Sequence, residues 1–474
     1  MKSKRGKRSA RDVGATTRRE FLKAGALGAG AAMAGTACAA GVTPQVARPP
    51  NFLLIVSDQL GLDALAAHGC ADVRTPNLDR LADRGVSFLE SHSTDPVCSP
   101  ARSSVFTGRM PTETGVITNG RPIHTSVPNM GQWLREAGYE TLYCGKWHLP
   151  EGYATKMPGF TVLPVGGGQG DLVDGAVSRS CEAYLKNRGK DKPFLLAASF
   201  MQPHDICYWA IKGKELVPEE PAFPQVDGRL PELPPNHTAR PRAPKELAAR
   251  LYEGFSDAQW RYYLYIYYRQ IEMLDAEVGR VLDALEDSGQ ADDTVILFTA
   301  DHGDGRGRHM HVSKWYPYEE AVKVPFIVSC PGRLAAGVQD ARHLVSGVDM
   351  MSTVCDYARV APPPQVLGRS VRPLLEGRAV EWREFVVADV QVVGRMLRTA
   401  QYKYVRYKGD PVEQLFDMRA DPWETANLYD QAQYTDVMAR HRKLLDEWEG
   451  RLTTVPPTED HERRGRRRKP RARS

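Results

Sequence analysis

The chain has 474 residues, of which 42% are hydrophobic and 26% are charged, and this length suits a large α/β domain with a smaller second domain. Its formal net charge of +5 comes from the two ends, because the first 23 and the last 17 residues together carry +12 and the body between them carries −7. An acidic body argues against nucleic acid as the main partner, and no uninterrupted apolar run is long enough to span a bilayer.

The N-terminus has the pattern of an export signal. Residues 17–23 match the twin-arginine pattern, and a weakly apolar Ala/Gly stretch follows at 24–34. We therefore predict a twin-arginine signal segment over residues 1–40, export by the twin-arginine translocase, and a periplasmic or secreted protein. Two alternatives stay open: a basic arm without fixed structure, and a lipoprotein with Cys38 as its lipidated first residue.

Apolar and amphipathic stretches alternate through the body of the chain. Continuous apolar runs predict buried strands at 51–56, 86–88, 139–144, 194–200, 294–299 and 324–329. Amphipathic stretches that end at a glycine predict helices at 75–82, 130–137 and 260–287. The alternation predicts an α/β fold with a large, mostly parallel sheet sandwiched by helices.

The pattern changes after about residue 380, where three short segments predict an antiparallel sheet and residues 431–450 predict a helix. The resulting domains are a main domain over 50–378, a smaller C-terminal antiparallel-sheet subdomain over 379–450, and a basic disordered tail over 451–474. A Pro- and charge-rich excursion at about 213–245 is predicted to border a substrate entrance.

Polar residues with metal-ligand chemistry follow two of the predicted strands. Asp58 and Gln59 come directly after the first strand, and Asp301 and His302 follow the strand at 294–299. The carboxyl ends of parallel strands meet at one edge of the sheet, so these side chains should lie close together. Carboxylate and amide oxygens suit Ca²⁺ or Mg²⁺, and an imidazole shifts the preference toward Mn²⁺.

The segment Cys98-Ser-Pro-Ala-Arg102 has the pattern Cys-x-Pro-x-Arg, which alone indicates only a small cysteine before a helix start. Its meaning comes from the ordered set around it: Asp58-Gln59, Lys146-Trp-His148, Pro203-His204 and Asp301-His302-Gly303. Over about residues 50–430 this set resembles the type I sulfatases of the alkaline phosphatase superfamily, and that resemblance implies an alkaline phosphatase-like fold.

The resemblance implies that Cys98 is oxidised to formylglycine before the protein folds, by a formylglycine-generating enzyme or an anaerobic sulfatase-maturing enzyme. One hydroxyl of the hydrated aldehyde would attack sulfur and the other would later expel sulfate. The implied ligands of one divalent cation, usually Ca²⁺, are Asp58, Gln59, Cys98, Asp301 and His302. Gln59 and His302 stand where the family more often has Asp and Asn, which leaves Mn²⁺ or Mg²⁺ open.

The resemblance also implies roles for the basic residues. Arg102 would fix the hydrate and the metal carboxylates, and Lys146 would clamp the sulfate. His148 would be the base that assists the hydrate, and it should face the same side as Lys146 because the two alternate across a strand end. His204 and Lys314 would contact the sulfate and the leaving oxygen, with one of the two acting as general acid.

His309 is a weaker candidate for substrate contact, since related hydrolases with Asp-His-Gly often carry a His near this position. The expected function is an exported sulfatase that hydrolyses the sulfate esters of a small molecule or glycan, with sulfated carbohydrates as the expected class. One alternative is a phosphonate monoester or phosphodiester hydrolase of the same superfamily, which His302 would suit. The other is a non-catalytic binding protein on the same fold.

Overall fold

The computed structural model describes residues 49–216, 228–249, 252 and 254–460. The predicted signal segment, Cys38 and the arginine-rich end of the predicted tail lie outside these residues, as does part of the excursion at 213–245. An eight-stranded, mostly parallel sheet has helices packed on both faces, and a four-stranded antiparallel sheet follows it in the chain. The predicted fold class is confirmed.

The strands of the described residues are numbered in chain order. They are β1 Asn51–Asp58, β2 Gly85–Phe88, β3 Ser91–His92, β4 Glu140–Gly145, β5 Thr161–Leu163, β6 Phe194–Pro203, β7 Thr294–Ala300, β8 Phe326–Ser329, β9 Val338–Asp340, β10 Val345–Ser346, β11 Phe385–Val390, β12 Gly394–Thr399, β13 Tyr402–Tyr407 and β14 Gln414–Asp417. The large sheet has the order β5-β4-β6-β1-β7-β8-β2-β9, the C-terminal sheet has the order β11-β12-β13-β14, and β3 pairs with β10.

The helices are numbered in the same way. They are α1 Pro76–Asp83, α2 Cys98–Thr107, α3 Pro111–Thr114, α4 Met130–Glu136, α5 Gly170–Asn187, α6 Ile206–Leu216, α7 Lys245–Ala248, α8 Asp257–Asp287, α9 Glu319–Val322, α10 Asp349–Ala358, α11 Arg372–Leu375 and α12 Thr435–Glu449. Within the described part of the chain, none of these helices combines the length and apolar character needed to cross a bilayer.

The central strand β1 is apolar along its whole length because both of its faces are buried. Leu53 and Ile55 pack into one core cluster with α1, α5 and α8, while Phe52 and Leu54 pack into a second cluster with α2, α4 and α10. Its neighbours β6 and β7 both run parallel to it. The carboxyl ends of these three strands therefore meet at one edge, where polar side chains can converge.

The strand predicted at 324–329 forms as β8, but it runs antiparallel to β7 and to β2. The reason lies in the connection over residues 301–325. This segment stays at the carboxyl edge of β7, where the Gly303 amide donates a hydrogen bond to the Ala321 carbonyl oxygen. With no long crossover helix to return the chain to the opposite edge, β8 starts where β7 ends and runs the other way.

A buried ion network joins the C-terminal sheet to the main body. Lys403 on β13 is fully buried, and its Nζ lies 2.7 Å from Glu319 at the start of α9 and 2.7 Å from Glu424. The same ammonium donates to the Pro317 carbonyl oxygen at 3.0 Å. Since Pro317 and Glu319 closely follow Lys314, this network holds the segment that carries a predicted active-site lysine.

The start of the predicted disordered tail is ordered. The Val455 amide donates to the Thr112 carbonyl oxygen on α3, and the Thr458 amide donates to the Gly115 carbonyl oxygen just beyond that helix. These bonds satisfy backbone carbonyl groups at the end of a short helix. The charge and composition of residues 451–474, from which disorder was predicted, contain no information about such bonds. The helix α3 is linked in turn to α2 by a hydrogen bond of 2.9 Å between the hydroxyls of Thr114 and Ser103.

Two glycines, Gly138 before β4 and Gly145 at its last position, give a matched test of the close approach between β4 and β6. Both have positive φ, but a Cβ at Gly145 would lie 1.9 Å from the Ser199 carbonyl oxygen, whereas a Cβ at Gly138 meets nothing within 4 Å. We expect Gly138→Ala to lower the free energy of unfolding by about 1 kcal/mol. Gly145→Ala should lower it by about 3–4 kcal/mol, because overlap adds to the conformational cost. Equal urea midpoints for the two variants would contradict this packing.

The ion network gives a second prediction. Lys403→Met should lower the free energy of unfolding by about 3–5 kcal/mol, because two buried carboxylates lose their shared cation. The matched control is Lys443→Met on α12, where the ammonium is exposed and 3.8 Å from Glu447, and where the change should stay within about 0.5 kcal/mol. Urea denaturation of both variants measures the difference, and a cost for Lys403→Met as small as the control's would show that the network is not stabilising.

Candidate active site

The two predicted pairs of metal-ligand residues meet at the carboxyl edge of the sheet. Ser57 on β1 is in register with Ala300 on β7, so Asp58 and Asp301 leave neighbouring strands side by side. The backbone N–H of Gln59 donates to Asp301 Oδ1 at 3.1 Å. Gln59 has a φ of 70°, which turns the chain away from the strand at this point.

Cys98 lies at the first position of α2 and is fully buried. Its Sγ is 3.3 Å from His302 Nε2, 3.7 Å from Asp58 Oδ1 and 3.1 Å from Lys314 Nζ. The thiol is the form that the gene encodes, and its sulfur marks where an oxygen on the same Cβ would stand after oxidation. The predicted nucleophile therefore lies against the predicted cation site and against a predicted sulfate contact.

Arg102, one helical turn after Cys98, binds both of the carboxylates that are predicted to hold the cation. Its Nε donates to Asp301 at 2.7 Å and its Nη2 donates to Asp58 at 3.1 Å. Its Nη1 donates to the Lys146 carbonyl oxygen at 3.0 Å and to Ser199 Oγ at 2.7 Å. The planar fork of a guanidinium satisfies these acceptors in one fixed geometry, which an ammonium cannot do.

Two buried ammonium groups flank the thiol. Lys146 Nζ lies 2.5 Å from Asp58 Oδ2 and 3.9 Å from Cys98 Sγ, while Lys314 Nζ donates to Gln59 Oε1 at 2.8 Å. Burial and the Asp58 carboxylate both raise the pKa of the Cys98 thiol, but the two lysines and His302 outweigh them and hold this pKa well below its ordinary value. The site is thus arranged to favour negative charge at the Cβ substituent of residue 98.

The side chains at the edge of the sheet fit a divalent cation. Ligand atoms of Asp58, Cys98, Asp301 and His302 all lie within 4.8 Å of one another. His302 Nδ1 is 2.8 Å from the Gly303 carbonyl oxygen, so Nδ1 carries a proton and Nε2 is the nitrogen that faces the cluster. Metal-binding histidines are oriented in this way, and two buried carboxylates with an imidazole suit Ca²⁺, Mg²⁺ or Mn²⁺.

The two carboxylates are not electrostatically equivalent. Burial raises the pKa of Asp301 to about 6, and the neighbouring Asp58 carboxylate adds to that shift. Burial also raises the pKa of Asp58, but the positive charges of Lys146, Lys314 and Arg102 outweigh it and hold this pKa well below its ordinary value. Asp58 is therefore the carboxylate that keeps its charge over the wider pH range, and a bound cation would favour the ionised form of both.

His204 follows β6 directly and lies near Cys98 and near Lys146 and Lys314, whose charges act on its imidazole. Burial, together with Lys146 and Lys314, lowers the pKa of His204 to about 4, so the imidazole is neutral at neutral pH. The turn that holds it is fixed from α5, because Asp174 accepts hydrogen bonds from the amides of Met201 at 2.7 Å and Gln202 at 2.8 Å. The structure thus brings His204 close to Cys98, and its contacts with sulfate and the leaving oxygen stay predictions.

His148 lies beside the nucleophile for a different reason from the one predicted. The strand β4 ends at Gly145, and His148 has a φ of 63°, so alternation along a strand does not set its direction. Its carbonyl oxygen instead accepts a hydrogen bond from Ser99 Oγ at 2.5 Å, next to Cys98. The backbone of His148 is in place at the site, and its role as a base stays a prediction.

His309 is held by groups other than the catalytic cluster. Its ring stacks on Tyr318 with a centroid distance of 4.2 Å. Its Nε2 lies 3.1 Å from Asn236 Nδ2, and its Nδ1 lies 3.4 Å from the Ala239 carbonyl oxygen. Both ring nitrogens thus face protein partners, and a substrate contact by His309 stays a prediction that these distances do not favour.

Two polar residues at the site were missed by the sequence analysis. Ser199 on β6 binds Arg102, and Asp304 accepts from Gln59 Nε2 at 2.7 Å. A signal existed for Asp304, which is two residues from His302. Ser199 carried a weaker signal as a polar residue inside an apolar strand run, a position that a buried hydrogen bond explains.

Comparisons with known proteins agree with this geometry. The profile of the family described as Sulfatase matches residues 50–360, and the one described as N-sulphoglucosamine sulphohydrolase, C-terminal, matches residues 307–450. A Delta 4,5-hexuronate-2-O-sulfatase of Bacteroides thetaiotaomicron is 31% identical over 440 residues, which cover 86% of this chain and 90% of that protein.

Solved structures share the fold. A 2-O GAG sulfatase is 28% identical with a TM-score of 0.76, and the match covers 87% of this chain and 98% of that one. The phosphonate monoester hydrolase of Agrobacterium radiobacter superposes with a TM-score of 0.70 at 24% identity, covering 85% of this chain and 96% of that one. At that identity the second likeness shows the fold alone.

The geometry around Arg102 predicts a large cost for losing the guanidinium fork. Arg102→Lys keeps one positive charge but cannot bind both carboxylates and both neutral acceptors, so we expect the free energy of unfolding to fall by about 3 kcal/mol. Ser199→Ala removes one of the four acceptors and should cost about 1 kcal/mol. Urea denaturation in EDTA isolates this effect from cation binding, and a lysine variant as stable as the alanine control would contradict it.

Proposed function

Because the chain belongs to the sulfatase family and is therefore a sulfuric ester hydrolase, we propose that it hydrolyses sulfated carbohydrates with a formylglycine made from Cys98 and one divalent cation. The observation that carries this proposal is the convergence on Cys98. Ligand atoms of Asp58, Asp301 and His302 lie within 4.8 Å of its sulfur and of one another, and Lys314 Nζ lies 3.1 Å from that sulfur.

The matured site would combine a nucleophile with a fixed positive field. Formylglycine supplies a hydroxyl nucleophile on the Cβ of residue 98, and the cation lowers the pKa of that hydroxyl. Lys146 and Lys314 flank this position and would hold the sulfate oxygens. Arg102 keeps Asp58 and Asp301 in place, so these charges need not reorganise as negative charge moves in the transition state.

The leaving oxygen needs a proton, and we assign it to His204. In the free enzyme this imidazole is neutral because burial, Lys146 and Lys314 lower its pKa to about 4. A bound sulfate ester adds negative charge that offsets the two lysines and favours the imidazolium. Lys314 stays a fixed cation, since the negative groups around it raise its pKa in spite of burial. His148 remains the proposed base that assists the hydrate.

A carbohydrate substrate is supported by the relatives. The curated description of one relative names a hexuronate and its 2-O position, and the description of a solved structure names a 2-O GAG sulfatase. The C-terminal profile named for N-sulphoglucosamine sulphohydrolase spans residues 307–450, which include Lys314 and the C-terminal sheet. We therefore propose a sulfated glycan or a sugar released from one as the substrate, and we propose that residues 307–450 select it.

The proposal extends to the ion, the location and the partners. Ca²⁺ is the proposed ion because oxygen ligands predominate, with Mn²⁺ and Mg²⁺ as competitors. The twin-arginine pattern at 17–23 supports export to the periplasm or beyond by the twin-arginine translocase. A formylglycine-generating or anaerobic maturing enzyme is the further partner that Cys98 requires. The proposed catalytic domain is 50–378, and the proposed subdomain is 379–450.

One specific observation favours a second candidate, phosphonate monoester or phosphodiester hydrolysis. His302 turns an imidazole nitrogen toward the cation site and Gln59 provides an amide there, a donor set that shifts preference toward transition metals. The fold likeness to a phosphonate monoester hydrolase is compatible with this alternative. No observation favours a non-catalytic binding protein.

The kinetic test compares kcat/KM for an aryl sulfate and an aryl phosphonate monoester, with protein coexpressed with a maturing enzyme. We expect the sulfate to be preferred and Cys98→Ala to lose at least about 10³-fold in kcat/KM, because the nucleophile is absent. Cys355→Ala is the matched control, since this buried thiol lies on α10 in the core and should leave the rate unchanged.

The outcomes separate the candidates. If the enzyme prefers the phosphonate and the Cys98→Ala variant is inactive, residue 98 remains the proposed nucleophile, but the proposed sulfate-ester substrate class is wrong. Full activity in Cys98→Ala would overturn the nucleophile itself. Mass spectrometry of the peptide that contains residue 98 should detect the aldehyde in active preparations, and an active protein with an intact thiol would contradict the proposed maturation.

A further inference from the structure

We propose that Asp304 is a positioning residue that fixes the side-chain amide of Gln59, so that the oxygen of the amide and not its NH₂ group faces the cation site. Asp304 is fully buried at the carboxyl edge of the sheet, two residues beyond His302. The inference rests on the cation site of the proposed function and not on its substrate class.

The two ends of the Gln59 amide have different partners. Nε2 donates to Asp304 Oδ2 at 2.7 Å, and Oε1 accepts from Lys314 Nζ at 2.8 Å. The third neighbour, Cys207, does not distinguish the ends, because its Sγ lies 3.1 Å from Nε2 and 3.2 Å from Oε1. The orientation of the amide is therefore decided between a carboxylate and an ammonium.

These two charges permit only one orientation. An ionised carboxylate can only accept hydrogen bonds, and an ammonium can only donate them. Turning the amide by 180° would set its oxygen against Asp304 and its NH₂ group against Lys314, which replaces two charge-assisted hydrogen bonds with two repulsive contacts. Since a hard cation binds the oxygen of an amide and not its nitrogen, this orientation is what makes Gln59 a competent ligand.

Asp304 is itself held in place from the long helix α8 and from the adjoining loop. Tyr263 on α8 donates its hydroxyl hydrogen to the carboxylate, with oxygen distances of 3.0 and 3.1 Å. The Arg306 backbone N–H donates to Oδ1 at 2.8 Å. The carboxylate that binds Gln59 thus has a fixed position, and two successive contacts, Tyr263 to Asp304 and Asp304 to Gln59, run from α8 to the cation site.

The pair also accounts for an amide at position 59. A carboxylate there would face the Asp304 carboxylate at the distance of a hydrogen bond, where two like charges repel strongly in a buried site. Gln59 and Asp304 are therefore coupled: a carboxylate at position 59 is compatible with a neutral donor at position 304 and not with Asp304. This coupling can be measured without any turnover of substrate.

The test is a double-mutant cycle of cation affinity with four full-length proteins, all in a Cys98→Ala background. They are the parent, Gln59→Glu, Asp304→Asn and the double variant. Each protein is stripped with EDTA and titrated calorimetrically with CaCl₂ and, separately, with MnCl₂.

We expect each single variant to bind the preferred ion at least tenfold more weakly than the parent. The double variant should bind at least tenfold more tightly than the product of the two single effects, because the amide introduced at position 304 can donate to the carboxylate introduced at position 59.

Two further variants separate positioning from general loss of structure. Tyr263→Phe keeps the ring but removes one donor to Asp304, and it should weaken binding severalfold. Asp275→Asn is the matched control on the same helix, because this buried carboxylate accepts the Leu78 N–H at 2.8 Å away from the cation site. It should leave the affinity within twofold. Thermal melting in EDTA checks that each protein is folded, and if Asp304→Asn is not, Gln59→Glu and Tyr263→Phe decide alone.

Three results would overturn the inference: single effects that multiply to the double effect within twofold, a Gln59→Glu variant that binds as tightly as the parent, or a parent that binds neither ion. A preference for phosphonate in the kinetic experiment would leave the cycle unaffected. Conversely, an absent coupling in a parent that binds the ion would leave sulfate hydrolysis intact, whereas a parent that binds neither ion would remove the cation from both proposals.

Discussion

The site depends on a single buried guanidinium. Arg102 reaches from α2 to the carboxylates that end β1 and follow β7, and it also binds β6 and the residue after β4. Without it, two carboxylates would face each other in a volume closed to water, which costs several kcal/mol. The position of Cys98, one turn before Arg102 on the same helix, is therefore set by the same contacts that hold the cation ligands.

Parts of the chain far apart in sequence secure the remaining charges. Lys314 is held within reach of Cys98 by a loop whose Trp315 amide donates to the Pro96 carbonyl oxygen and whose continuation is bound by Lys403 from the C-terminal sheet. The small sheet is therefore a support for the active site as well as a candidate surface for substrate. Asp174 supports His204 in a comparable way from α5.

The central strands could be predicted because burial on both faces makes each strand a continuous apolar run. Their shared edge could be predicted because the polar residues Asp58 and Asp301 follow directly at the carboxyl ends of two such runs. The direction of β8 could not be predicted, since it depends on where the 301–325 connection lies. Contacts of Asp304 and Ser199 likewise depend on register and on the rotamers of Gln59 and Arg102, and no local pattern encodes them. His309 shows the converse, because a His near this position in related hydrolases suggested a substrate contact, while its ring packs on Tyr318.

The bonds from residues 453–458 to α3 set the order of events during synthesis. The helix α2, which carries Cys98, is hydrogen bonded to α3. The backbone groups at the end of α3 are in turn bound by residues 455 and 458, which are almost the last described residues of the chain. At roughly 5–20 residues per second, a ribosome needs on the order of 20–70 s to go from Cys98 to Thr458. For that interval the set of contacts behind α2 is incomplete, which leaves tens of seconds between the synthesis of Cys98 and the completion of the fold around it.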